Sequence, residues 1–322
     1  MVWLGHRLLA DTDLITSTLA MAVLVVVPLG LSLISLNARQ AKVFGWLSLL
    51  QPFAAFGALL ALTLEPRGPT GLFAVPWCVL TLGAGVAGLF GLTARDSDQP
   101  LAHSLALLLL PAGGAWLCIS RAGFDPLGNG VLIVLLTAVH FHFVAFAGLV
   151  VMGCNSERLS GLVRQGAAPA RLARFGFGTT VALVAGYLLV ALGIASIPLA
   201  GVVGAVLLSL ALFVHALLHL LVVLRHQRGA LVKLLLCISS TSVLMSMPLA
   251  CAWAVGQWLD ISYIDFSSML RIHGMANAHG FVLAGLVGFW LDAKNRETQR
   301  AAEATAPAAA TSSPDLVGSE SP

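Results

Sequence analysis

Two stretches of this chain set histidines inside segments apolar enough to span a bilayer. They are His140-Phe141-His142 and the run Arg271 to Gly280, which carries His273, Gly274, Asn277 and His279. A polar or ionisable side chain in hydrocarbon costs on the order of several kcal/mol unless it is paired or faces a wet cavity, so such residues mark candidate function. Imidazole suits three kinds of chemistry here: it relays protons near neutral pH, it hydrogen-bonds to ligands, and its neutral ring is the usual ligand for zinc, copper and haem iron. His273 and Asn277 are four apart and stack on one helical face, which Gly280 continues by removing side-chain bulk. His140 and His142 lie about 200° apart round a helix and cannot both point at one small centre.

A third histidine group, His215-Ala-Leu-Leu-His219, has a metal-chelating i, i+4 spacing but lacks the glutamate of a zinc-protease helix. It reads as a packing or interface contact, with a metal site of the histidine-box type as the alternative, for which only His103 and His226 stand on the same side. Glu65 and Arg271 sit at the opposite membrane edge, placed either to pair across a vestibule above His273 or to form a solvated rim. No Ser-His-Asp order, phosphate-binding glycine loop or paired-carboxylate spacing is present, so no catalytic residue is assigned and enzymatic activity stays open.

The elements that must position these residues follow from composition. Hydrophobic residues make up 58% of the 322, charged ones only 10%, and the mean hydropathy is +0.94. Soluble domains carry about 25% charged residues, so this is a polytopic membrane protein whose first partner is the lipid bilayer. The net charge of +3 is spread over short loops, which excludes a nucleic-acid partner; the oligomeric state is not encoded. Cys78, Cys118, Cys237 and Cys251 lie in or at the ends of apolar runs without metal-ligand spacing, and read as reduced core residues.

A spanning helix needs about 20 apolar residues, and nine segments qualify: 14–36, 44–64, 71–93, 101–120, 129–152, 175–194, 197–224, 231–257 and 268–291. None alternates with period 2, so the fold class is an all-α transmembrane bundle rather than a barrel. The first run is too long for a signal-peptide core and stays as a membrane helix. With the N-terminus outside, 13 of the 17 lysines and arginines fall on the cytoplasmic side, leaving only Arg7, Arg67, Arg121 and Arg271 outside. The expectation is therefore a short outer segment 1–13, a bundle over 14–292 and a mostly disordered cytoplasmic tail over 293–322. The stretch Gly153 to Arg174 reads as a basic cytoplasmic loop dividing five helices from four. The short connection Ala195 to Pro198 makes the sixth and seventh helices antiparallel neighbours. Gly83, Gly85, Gly88 and Gly91 promise close packing of the third helix. At 1.5 Å per residue, His140 lies about 16 Å and Asn277 about 14 Å from the outer end, so a site shared between the fifth and ninth helices is expected at mid-depth.

Leu136-Thr-Ala-Val-His-Phe-His-Phe143 and His273-Gly-Met-Ala-Asn-Ala-His-Gly-Phe281 resemble the two signature segments of the YndJ-like family of bacterial membrane proteins. Pro111-Ala-Gly-Gly-Ala-Trp-Leu117 and Gly123-Phe-Asp-Pro-Leu-Gly128 resemble the stretch before the first signature, and the likeness covers about residues 15–292. It implies His140, His142, His273, Gly274, Asn277 and Gly280 as the family-type positions, in a transporter-like protein of the bacterial inner membrane. The chain departs from that pattern at Val144-Ala145 and at His279, which therefore takes no family role. Three readings stand: a His/Asn pocket that binds or conducts a small molecule or protons; a membrane metalloenzyme or haem, copper or zinc protein with His140 and His273 as ligands; and a structural or accessory subunit.

Overall fold

The computed structural model describes residues 2–94, 99–261 and 264–305, with side chains over 12–304. Among them are nine helices long and apolar enough to cross a membrane, and no strand. These are α1 Thr12–Leu33, α2 Ala38–Thr63, α3 Gly68–Leu92, α4 Leu101–Arg121, α5 Val131–Arg164, α6 Ala170–Ala195, α7 Pro198–His226, α8 Ala230–Leu259 and α9 Phe266–Ala304. The helix of α1 starts at Val2, within the polar segment that precedes the first apolar run.

Two helices outrun their apolar segments. α5 continues through Glu157 and Arg158 to Arg164, so the supposed loop from Gly153 shrinks to a turn about Gly166, whose φ of +71° suits glycine. α9 continues through Asp292, and only residues 306–322 of the expected tail lie outside the described residues, as does Arg95 in the α3–α4 connection. One ion-pair network accounts for both extensions. Asp292, almost fully buried, accepts from Arg158 at 2.8 Å and from Arg296 at 3.2 Å.

Helices consecutive in sequence pack as antiparallel neighbours. α3 and α4 approach so closely that a methyl on Gly88 would stand 2.7 Å from the Leu108 amide nitrogen, and one on Gly85 2.5 Å from Pro111. In the α6–α7 pair, a methyl on Gly204 would stand 2.5 Å from Val190 N and one on Gly186 2.7 Å from Leu208 N. Lipid supplies no hydrophobic drive between helices, so this backbone proximity is where their dispersion energy comes from. Arg121, buried at the end of α4, donates from Nε to Ala61 O at 2.8 Å and from its terminal nitrogen to Leu64 O, capping the end of α2. A cation there also complements the helix dipole.

α5 is the hub, touching α1, α4, α6, α7 and α9. α2 and α3 form a wing whose Trp46, Phe53, Phe56 and Leu72 point outward, and with Leu210 of α7 and Met245 of α8 they belong to the apolar surface that meets lipid. Basic residues gather at one end of the bundle, formed by the α1–α2, α3–α4, α5–α6 and α7–α8 connections and the end of α9; this is called the basic end below.

Candidate functional site

A wide, π-helical turn overlaps each signature segment, Phe141–Gly148 in α5, starting just after His140, and Ala276–Leu283 in α9, and these two turns pack against each other. A third, Leu270–Gly274, precedes the second. Such turns disturb the regular hydrogen-bond ladder and are frequent at functional sites.

His142 is fully buried and fully engaged. Its Nδ1–H donates to Ala138 O at 2.8 Å, and its Nε2 accepts from Trp77 Nε1 at 3.0 Å. The two rings stack with centroids 6.0 Å apart, and Gly113 makes room, since a methyl there would stand 2.9 Å from the imidazole. With both nitrogens taken, His142 offers nothing to a ligand or metal; it ties α5 to α3 and α4. Two positions of helix rotation separate it from His140, which looks elsewhere.

His140 donates from Nδ1 to Leu136 O at 2.8 Å, and its side chain is accessible rather than buried. On α9, His273 donates from Nδ1 to Ser246 O of α8 at 3.2 Å. Asn277 Nδ2 donates to His273 O at 2.7 Å and lies 3.2 Å from the same His273 Nδ1, while Ser246 Oγ donates to Asn277 Oδ1 at 3.0 Å. The imidazoles of His140 and His273 lie within electrostatic range of each other. Leu136 O can only accept, so His140 Nδ1 carries the hydrogen and its Nε2 presents a lone pair; His273 Nδ1 lies between an acceptor, Ser246 O, and a donor, Asn277 Nδ2, each at 3.2 Å, and no described residue bonds to Nε2 of either ring. Gly274 faces open space, with nothing nearer than 3.8 Å to a methyl built on it, whereas Gly280 lets Ser242 of α8 approach to where its methyl would be. His279 is exposed.

Ser246 escaped sequence reading because serine in an apolar helix is unremarkable alone. The spacing Ser239, Ser242, Ser246 on α8 is its signal, a polar stripe toward α9 in which Ser239 Oγ also donates to Phe281 O at 2.8 Å. At the opposite membrane edge, Glu65 pairs with Arg67, two residues along and exposed like itself, rather than spanning a vestibule to Arg271.

Towards the basic end, α5 is surrounded by polar contacts. Asn155 Nδ2 lies 3.1 Å from His215 Nε2, and His219 Nδ1 lies 2.7 Å from Ser240 Oγ. His103 sits 3.6 Å from Glu157, donates to Val150 O at 3.3 Å and packs on Gly153. Glu157 accepts from Ser35 Oγ at 2.6 Å. Glu157, Arg158 and Arg164 line a cavity of about 690 Å³ together with Ser35, Asn37 and Phe177. Asn155 and Glu157 were missed because they fall beyond the apolar run, where helix was not expected.

Among the described residues no three His, Cys, Asp or Glu side chains converge as a metal site. Zinc needs three or four protein ligands and does not fit. His140 and His273 each keep Nε2 free while Nδ1 contacts a backbone carbonyl, the kind of outer-shell bond that ligating histidines carry.

A family model described as YndJ-like protein matches residues 17–281. The chain is 29% identical over 243 residues to a protein of Bacillus subtilis (strain 168) named "Uncharacterized membrane protein YndJ". That alignment covers 75% of this chain and 41% of the relative, so the chain spans about two fifths of the relative's length. No solved structure matches. With a family match over residues 17–281, and with nine membrane-length apolar helices among the described residues, the chain belongs to the YndJ-like family of membrane proteins.

Proposed function

We propose that His140, His273, Asn277 and Ser246 form a polar site between α5, α8 and α9 at which the protein binds or conducts a small polar solute or protons across the bacterial inner membrane. The observation that carries this reading is the pair of imidazoles anchored through Nδ1 with Nε2 left free. In hydrocarbon an unused lone pair on a positioned ring is costly unless something meets it. The test is flux in liposomes loaded with a pH-sensitive dye. His140→Ala and Asn277→Ala should each abolish transport without abolishing insertion, and the double variant should be no worse than either, since groups acting as a unit are non-additive. Losses that simply multiply, or tolerated single changes, would mean that the four do not share a centre.

The same anchored pair supports a second reading, bis-imidazole ligation of haem or copper. An absorption spectrum and metal analysis of purified protein separate the two. A band or bound metal removed by either His140→Ala or His273→Ala selects ligation. Absence of both leaves the solute site, or an accessory subunit if flux is also absent.

A further inference from the structure

At the basic end the wall of the bundle has a gap. α6 packs on α5 and α7 but barely touches α4. The cavity of about 690 Å³ lies there, between the α1–α2 connection, the start of α4, the end of α5 and the first turns of α6. Its lining carries both signs of charge, Glu157 with Arg158 and Arg164, together with the hydroxyl of Ser35 and the amide of Asn37. Several of these groups have bonding capacity to spare. Glu157 takes Ser35 Oγ on Oε1, the oxygen that also faces His103, and its Oε2 accepts from no described residue. Arg158 gives one terminal nitrogen to Asp292 and keeps Nε without a partner. Asn37 is fixed by capping α2, where its Oδ1 accepts from Arg39 N and Gln40 N at 3.0 Å, and its Nδ2 is left unpartnered.

A second cavity, of about 320 Å³, adjoins the first and shares Gln99, Leu101 and Phe177 with it. Leu92 and Phe177 are exposed and fall inside the apolar runs of α3 and α6, so this part of the gap faces the lipid tails. A polar chamber that continues into an apolar slot has the shape of an amphiphile, and basic pockets between membrane helices take phospholipid head groups. Glu157 decides which kind. A phosphate alone would meet its carboxylate, and an ammonium alone would meet two guanidinium groups, whereas a head group with both charges satisfies both. We propose that this gap binds a membrane phospholipid with a primary-amine head group. Its phosphate is taken by Arg158, Arg164 and Asn37, its ammonium by Glu157, and one acyl chain runs along Leu92, Leu101 and Phe177. The lipid joins α4 to α6, which make little direct contact, and it does so independently of the His140/His273 site.

The test is native mass spectrometry of the full chain released from detergent, titrated with phosphatidylethanolamine, phosphatidylglycerol and phosphatidylcholine of identical acyl chains. Phosphatidylethanolamine should be retained at least threefold better than either of the others; equal retention of all three overturns the proposal. Glu157→Gln keeps an acceptor for Ser35 and removes the charge, so it should bring phosphatidylethanolamine down to the level of phosphatidylglycerol. A preference unchanged in that variant rules out the ammonium contact. Ala173→Trp, which fills the cavity from α6, should cut bound lipid at least tenfold at an unchanged Tm, and full retention would place the lipid elsewhere. Should that variant fail to insert, Arg164→Ala at an exposed position gives the same reading through a severalfold loss of all three lipids. Glycerophosphoethanolamine, the head group without its chains, should not displace the lipid at equal concentration. Displacement would make the occupant a soluble phosphoester and sink the lipid assignment.

Discussion

Chemically similar residues divide here by what their second nitrogen meets. His140 and His142, two apart in sequence, are indistinguishable by type and depth, but one is a strut and the other presents an open lone pair. The strut makes a clear prediction. Trp77→Phe removes the donor to His142 Nε2 and strands a buried acceptor, so stability should fall by about 1–3 kcal/mol, measured as a lowered Tm in detergent, while flux through the folded fraction is unchanged. A loss of flux with unchanged Tm would instead place His142 in the working site. The sequence made the polar positions conspicuous because each is expensive in lipid. It was silent on their partners, Trp77, Ser246 and Asn155, which are contributed by other helices and carry no signal of their own.

At the scale of elements, the nine spans were legible because a bilayer demands a long apolar helix whatever the tertiary context. Their ends were legible only where charge and helix stop together. α5 and α9 break that rule because Arg158 and Asp292 pair inside the protein, letting both helices run on past their apolar runs. Asp292→Ala should therefore destabilise by about 3 kcal/mol, the lower end for breaking a buried pair because Arg158 keeps partial exposure. Arg296→Ala, the loss of a half-exposed partner, should cost under about 1 kcal/mol. Equal Tm shifts in the two variants would refute this ranking. Glycine packing gives a second check: Gly204→Leu must push α7 off α6, since even a methyl would meet Val190 N at 2.5 Å, whereas Gly45→Leu, which faces nothing within 4 Å, should be neutral in the same melting assay.

For the whole molecule, the alternation of the nine described antiparallel helices puts most of the basic residues at one end, and the helix count and the charge asymmetry point the same way. Lysine and arginine bias short loops toward the cytoplasm. A reporter active only in the cytoplasm, fused after Arg300, should therefore be active, and one fused before Asp11 should be inactive there and active outside. The consequence for function is directional. The cavity lined by Arg158 and Arg164 would open to the cytoplasm, and the His140/His273 site would lie toward the outer face. A C-terminal reporter active outside would invert that direction, placing the basic cavity at the outer face against the charge rule. Reporters active on the same side at both ends would remove a helix from the membrane and break the alternation on which the shared depth of His140 and Asn277 depends.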